Sequence, residues 1–476
     1  MDNCSIPQHK EFASVAQSAR SHDIDMLHGS LAPKIMTFAL PVAASGFLQQ
    51  LFNAADVAVV GRFAGSDALA AVGANTYLIS LMVNLFVGVS LGANVTIANC
   101  VGKGDDEGVR RATRTAIALS LACGLVLTVA GQLLARTVHQ AIGTPEELLD
   151  QAMLYFRIYY LGMPPIMLYN FASAVLRSKG DTRRPLVVLV VSGALNVALN
   201  LLFVVGLRMD VAGVALATLL SNVASSLALV EMLRRETGPY HLSLRQLRID
   251  RTSLGGIVRV GLPAGIQSSV FSLSNIVLQA AINSLGATAM AATTVATNFE
   301  YFTYNAILGF SQAATTFVSQ NDGAGNEARC RRSTRLALML GPSFTFAVGA
   351  LFYLLRVPLV GLFTTDAGVK PLAYDRILRA TGFQWVNAIN EIFSGAMRGY
   401  KRSTIPAAIS IIGICGTRIL WVHTGFTILP TYAHLVLAYP ISWAVTAVAQ
   451  GVAYALVMRG RRRSDHLGRF SPVETL

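Results

Sequence analysis

Three carboxylates fall where this chain is otherwise apolar: Asp56, Glu300 and Glu391. Most of the 25 acidic residues lie in loops or tails, and Glu231 sits beside Arg234 and Arg235, where a surface pair accounts for it. Placing an Asp at the centre of a membrane helix costs about 2.5–3.5 kcal/mol on insertion scales, so an acid kept there is a functional candidate. A desolvated carboxylate can take up and release a proton, or coordinate a cation when ionised. Asp56 lies in "QQLFNAADVAVVGRF", and the apolar run Val57 to Val60 places it inside its helix. The alternative is an interfacial residue reaching for water, which a side chain as short as Asp does poorly.

Glu300 follows Gly286 by fourteen residues, about 21 Å of helix rise, in "NFEYFTYN" with Tyr301, Tyr304 and Asn305. Glu391 precedes Arg398 by seven residues, about 10 Å, with Asn387 one turn earlier on the same face. Each glutamate can instead be a structural acid that ties helices together. Uncharged polar residues collect in the same runs. Asn196 and Asn200 share one helix face, and Thr218, Asn222, Gln267, Asn275, Asn305 and Gln312 are others. For any single one of these the better reading is interhelical glue, worth about 0.6 kcal/mol.

The elements that hold these groups are membrane helices. The chain has 476 residues, 53% hydrophobic and 13% charged, with mean hydropathy +0.52; soluble domains carry about 25% charged residues. Leu69 to Cys100 contains no charged residue, and Thr404 to Met458 contains one, Arg418. Apolar runs and charged breaks predict an all-α polytopic protein of twelve spans, at roughly 32–60, 68–100, 112–135, 150–176, 185–207, 211–233, 253–284, 288–321, 333–355, 375–397, 404–427 and 433–458. Basic residues cluster in alternate loops, as in Lys103 to Arg114 and Arg177 to Arg184, and only the 356–379 connection breaks the alternation. The positive-inside rule then places both termini in the cytoplasm.

The chain also repeats itself. Gly65 and Gly286 are 221 residues apart, as are Gly88 and Gly309, Gly102 and Gly323, Arg111 and Arg332, Arg177 and Arg398, and Pro185 and Pro406. One shift aligns "GKGDDEGVRR" with "GAGNEARCRR". Such an interval relates two parallel six-helix copies. The predicted units are a tail over 1–30, an N-lobe over 31–234, a basic linker over 235–252, a C-lobe over 253–458 and a tail over 459–476, the lobes enclosing a central cleft. The acids break the repeat: Asp56 maps to Val277, Glu300 to Ile79 and Glu391 to Asn170. Pro41 and Pro263 interrupt the first and seventh helices; with Gly46 nearby, Pro41 can bend the helix that carries Asp56, or be a static kink.

Other classes fit poorly. The net charge of +13 sits in short loops as a topology signal, with no nucleic-acid motif. Cys4, Cys100, Cys123, Cys330 and Cys415 form no CxxC pair, so neither a disulfide framework nor a metal site is expected. No Walker A or HExxH motif appears, and the polar N-terminus reads as no cleavable signal, leaving the first span to direct insertion.

The stretches "ALPVAASGFLQQLFNAADVAVVGRFAGSDALAAVGA", "GVSLGANVTIANCVGKGD", "VLRSKGDTRRP" and "GFSQAATTFVSQNDGAGN" resemble the multidrug and toxic compound extrusion (MATE) family, over about 30–460, and its prokaryotic DNA-damage-inducible branch in particular. The resemblance implies a V-shaped antiporter of the inner (plasma) membrane, monomeric and not an enzyme, exporting small cationic amphiphiles in exchange for H⁺ or Na⁺ with no other cofactor. It implies an N-lobe ion-coupling site at Asp56 with Tyr155, Asn196 and Thr218. A second aspartate of that site corresponds to Asn200 here, a departure that leaves Asp56 to work alone or with Glu300 and Glu391. Two other functions are weighed against it. A flippase for a lipid-linked polar precursor would want a cationic cavity, and the intramembrane basic candidates, Arg157 and Arg418, are outnumbered by the acids. An intramembrane enzyme would want a His or metal ligand beside the acids, which the sequence does not place there.

Overall fold

The computed structural model describes residues 23–141 and 145–468, and within them every regular element is helical. The first half comprises α1 (Leu31–Phe63), α2 (Ser66–Lys103), α3 (Asp106–Ala141), α4 (Glu146–Leu161), α5 (Met163–Ser178), α6 (Arg183–Asn200) and α7 (Asp210–Arg235). The second comprises α8 (Arg251–Asn283), α9 (Ala287–Gly323), α10 (Glu327–Leu354), α11 (Val369–Arg379), α12 (Gln384–Gly399), α13 (Thr404–Ser410), α14 (Thr417–His423) and α15 (Ala438–Gly468). Short π-helical segments follow α6 at Leu201–Gly206 and join α13 to α14 at Ile411–Gly416.

Helix starts follow local chemistry. Asp105 accepts the Gly108 amide at 2.8 Å ahead of α3, Asp250 accepts that of Ser253 at 2.8 Å at the start of α8, and Asn326 accepts that of Arg329 at 3.0 Å at the start of α10. These side chains satisfy amides the first turn leaves open. They also start α3 and α10 six residues ahead of the spans expected at 112 and 333.

The 221-residue interval recurs in the backbone. It separates the starts of α2 and α9, of α3 and α10, of α5 and α12, and of α6 and α13. Gly65 and Gly286 both have φ 92°, and Gly104 and Gly325 have φ 68° and 71°. These are left-handed turns for which only glycine lacks a steric penalty, so the shared glycines mark shared bends.

Among the described residues, nine helices are long and apolar enough to cross a membrane. The expected spans at 150–176, 288–321 and 375–397 are helical but fall outside this set. The first is divided at Gly162, before Pro164 and Pro165, and the last around Thr381–Phe383. The middle one, α9, is long but rich in Thr, Asn, Gln and Ser. These three carry Tyr155, Glu300 and Glu391, while Asp56, Asn196, Asn200 and Thr218 lie on helices within the set.

The halves meet along α1, α2, α8 and α9. A Cβ at Gly102 would strike the carbonyl of Gln320, and one at Gly323 the carbonyl of Asn99, which are reciprocal contacts at the 221-residue interval. Gly88 and Gly92 pack in the same way against Gly265 and Gly261. Small residues permit this approach where lipid supplies no hydrophobic drive. Ser319 Oγ donates to the Val95 carbonyl (2.7 Å), Thr316 Oγ1 to Asn94 Oδ1 (3.0 Å) and Lys401 Nζ to Asn99 Oδ1 (2.7 Å). Phe38 meets Phe317 edge-on at 6.0 Å. The contacts at Gly102, Gly323, Ser319 and Lys401 lie toward the last turns of α2 and α9, beside Lys103 and the start of α10 with Arg329, the basic end of the molecule.

Candidate functional site

Asp56 rides on α1, about two turns from Phe63 at the end opposite the basic one. Its Oδ1 accepts from Asn200 Nδ2 at 2.5 Å and its Oδ2 from Thr218 Oγ1 at 3.4 Å. The Asn200 amide also donates to Asn196 Oδ1 (3.3 Å), one turn back on α6, and Asn196 Nδ2 reaches Thr218 Oγ1 at 3.5 Å. Asn200 is fully buried and Asn196 nearly so. Three helices therefore converge on one carboxylate. Tyr155 on α4 is buried beside the cluster, its ring 6.0 Å from that of Tyr159, and both hydroxyls lie within electrostatic reach of Asp56. Five residues singled out in the sequence are thus gathered at one place.

Asn200 ends the α-helical part of α6, and the π segment begins at the next residue. Such turns widen a helix and often accompany functional sites. The Asn200 Oδ1 is buried and unpartnered. An amide carries both donors and acceptors. As oriented it donates to an ionised Asp56, and after rotation its free oxygen can accept from a protonated one. A second aspartate would add a charge; the asparagine serves either state of a single charge.

The two glutamates lie elsewhere. Glu300 on α9 forms a two-point pair with Arg376 on α11, Nε to Oε1 at 2.6 Å and Nη2 to Oε2 at 3.1 Å. Glu391 on α12 faces Arg398 on its own helix at 3.8 Å, and Arg398 also donates to Gln267 Oε1 at 3.0 Å. Asn387 turns to Gln384 at 3.2 Å. Both glutamates have a cation; among the described residues no basic side chain pairs with Asp56.

This changes the charge balance expected from sequence. Arg157 is exposed, whereas Arg376, Arg398 and Arg418 are buried, Arg418 completely. These three buried arginines match Asp56, Glu300 and Glu391 in number, so acids do not outnumber cations among these groups. Sequence reading missed Arg376 because it sits in the 356–379 connection. The break in charge alternation there was its signal, since Arg376 is an interior partner and not a loop cation. Pro41 lies inside α1, which continues as one helix across it, and Ser45 Oγ donates to the Pro41 carbonyl at 2.9 Å. Cys100, Cys123, Cys330 and Cys415 are free thiols; Cys4 lies outside the described residues.

The geometry can be set beside known proteins. The sequence model of the MatE family matches twice, at residues 41–202 and 263–422, once in each half. A probable multidrug resistance protein of Bacillus subtilis, YoeA, is 28% identical over 86% of this chain and 90% of its own length. A FAD transporter of Shewanella oneidensis is 25% identical over 86% and 90%. The fold is shared with the outward-facing conformation of a multidrug resistance MATE family transporter, at TM-score 0.86 and 24% identity over 93% of this chain and 99% of that one. With its helices, its two matched halves and its motifs in register, the chain is a multi-pass membrane protein of the MatE family, the family its sequence resembles.

Proposed function

We propose that this chain is a secondary antiporter that exports small cationic amphiphiles across the plasma membrane in exchange for H⁺ or Na⁺, with Asp56 as the coupling carboxylate. The observation that carries the proposal is the hydrogen-bonded but uncompensated state of Asp56: Asn200 and Thr218 bind it, and no cation does. Glu300 and Glu391 already face arginines and are the weaker candidates. An incoming proton would neutralise Asp56 and let the Asn200 amide rotate. An incoming Na⁺ would find the carboxylate, Thr218 Oγ1 and Asn196 Oδ1 as oxygen ligands. Either event changes what holds α1 at α6 and α7, and Pro41 gives α1 a place to bend. Rocking of the halves about their glycine-lined contact would then expose the site to alternate sides. The reading takes both termini as cytoplasmic and the protein as a monomer. Relatives named for multidrug resistance support drug-like small-molecule cargo. The test is dye efflux from proteoliposomes with ΔpH and ΔNa⁺ imposed separately. The gradient that drives efflux in the wild type should fail to drive it in Asp56→Asn; efflux by this variant at the wild-type rate would end the proposal.

A further inference from the structure

We propose that the second half carries an anion-binding subsite at Arg418, which takes the carboxylate or phosphate of an amphiphilic substrate. The inference rests on the transport reading and adds a class of cargo. Arg418 is the largest fully buried side chain in the described molecule. Its Nη1 donates to Asn275 Oδ1 at 2.8 Å and its Nε lies 3.3 Å from Ser442 Oγ, while Nη2 has no hydrogen-bond partner. No carboxylate forms an ion pair with it among the described residues. The acid whose charge reaches it, Glu300, is bound at both oxygens by Arg376. Arg376 in turn has an unpartnered Nη1. The cluster of two arginines and one glutamate therefore holds one positive charge in excess, with a guanidinium edge free. A buried charge without a counter-ion is strongly unfavourable, and guanidinium groups match carboxylate and phosphate oxygens in a two-point geometry.

The surroundings suit an amphiphile. The Arg418 guanidinium lies over Phe271 at 5.0 Å and over Tyr439 at 4.6 Å. Phe271, Asn275 and Tyr439 are each partly exposed, so the charge sits one layer below a reachable surface. Aromatic faces beside a cation offer an apolar body and an anionic head separate contacts. The place is also one the repeat supplies: Arg376 stands 221 residues after Tyr155, and Tyr439 stands 221 after Thr218. The positions that flank Asp56 in the first half thus carry cationic and aromatic groups in the second.

The test uses two dyes with one ring system and opposite charge, fluorescein and rhodamine 6G. Binding to the full-length protein in neutral phosphatidylcholine nanodiscs is followed by fluorescence anisotropy at pH 7.5. Loss of one charge-assisted contact predicts that Arg418→Met weakens fluorescein binding tenfold or more, that Arg418→Lys retains an intermediate affinity, and that rhodamine 6G stays within twofold. Unchanged fluorescein affinity in a folded Arg418→Met protein overturns the proposal. So does equal loss of both dyes with a lowered melting temperature, which would make Arg418 a packing residue. Should Arg418→Met not fold, the wild type decides: octyl phosphate must displace fluorescein and octylamine must not, and the reverse order refutes the subsite. Binding is read at equilibrium without a gradient, so this proposal and the coupling role of Asp56 fail by different measurements.

Discussion

A single uncompensated carboxylate limits what the transporter can do. In the proposed cycle Asp56 takes one proton or one Na⁺, since Asn200 cannot ionise and Glu300 and Glu391 face Arg376 and Arg398. One-for-one exchange of a monovalent cationic dye is then electroneutral. A pH difference of two units supplies about 2.7 kcal/mol, which sustains a dye ratio of about 100-fold at static head. Two coupled carboxylates would sustain about 10,000-fold and would respond to membrane potential. The assay is the steady dye ratio in proteoliposomes with the potential clamped by valinomycin and potassium at several values. The wild type should approach but not exceed about 100-fold, and the ratio should not move with potential. A hundredfold Na⁺ gradient gives the same ceiling if Na⁺ is the coupling ion. In Asp56→Asn the ratio should fall to about one, although the new amide can still pair with Asn200 and the melting temperature should change little. A ratio far above 100-fold, or one that follows the potential, would show that another carboxylate joins the cycle. A sustained ratio in Asp56→Asn would remove Asp56 from coupling altogether.

Arg376→Gln should lower stability by roughly 3–5 kcal/mol because it strands Glu300 in the interior, while the double replacement Arg376→Met with Glu300→Leu should be close to neutral; thermal unfolding in detergent separates the two. Gly102→Ala and Gly323→Ala should each push apart the basic ends of α2 and α9, since the added Cβ meets backbone; crosslinking of cysteine pairs across that contact should fall, and transport with it. Glu236 in the linker feels burial, which works to raise its pKa, but hydrogen bonds and charge from Lys179 and Arg184 outweigh it and hold the pKa below its ordinary 4.5. A lowered carboxylate pKa adds stability above the ordinary value that disappears as pH falls through the folded one. Glu236→Gln should therefore melt lower than wild type at pH 7, and the two melting curves should converge in the acid range below about 4.5.

Much of this was legible in the sequence, for identifiable reasons. Apolar runs and charged breaks located the long helices of both halves, because a bilayer fixes span length, although the last one runs to Gly468 and the expected spans at 150–176 and 375–397 are each divided. The interval of 221 was readable because glycines such as Gly65 and Gly286 occupy bends that other residues resist. Asp56 stood out as a charge in an apolar run, Asn196 and Thr218 stood out as polar residues in such runs and were joined to it by a family resemblance, and Tyr155 entered through that resemblance alone. Arg376 did not stand out, because a cation near a helix end reads as a loop residue until its partner is known, and Glu300 lies 76 positions earlier. The π segments after Asn200 and before Arg418 were also invisible: a helix that gains one residue in a turn keeps the composition of an ordinary span. Periodicity reports which face is apolar; it does not report which polar groups on different helices meet.

The two halves put opposite charge on one scaffold. In the first, Tyr155 and Thr218 flank a carboxylate that amides hold and no cation neutralises. In the second, Arg376 and Tyr439 stand at the positions equivalent by the interval, and the excess charge is positive. Duplication alone would give two similar sites competing for one ion. Divergence at the equivalent positions would remove that competition, the proposed coupling ion being taken in the half with Asp56 and a different group in the other. On the two proposals above, the buried arginines would disfavour a cation in the second half and Asp56 would disfavour an anionic head in the first. Each half would then select its own ligand by excluding that of the other, a division of labour that follows from side chains at equivalent backbone positions.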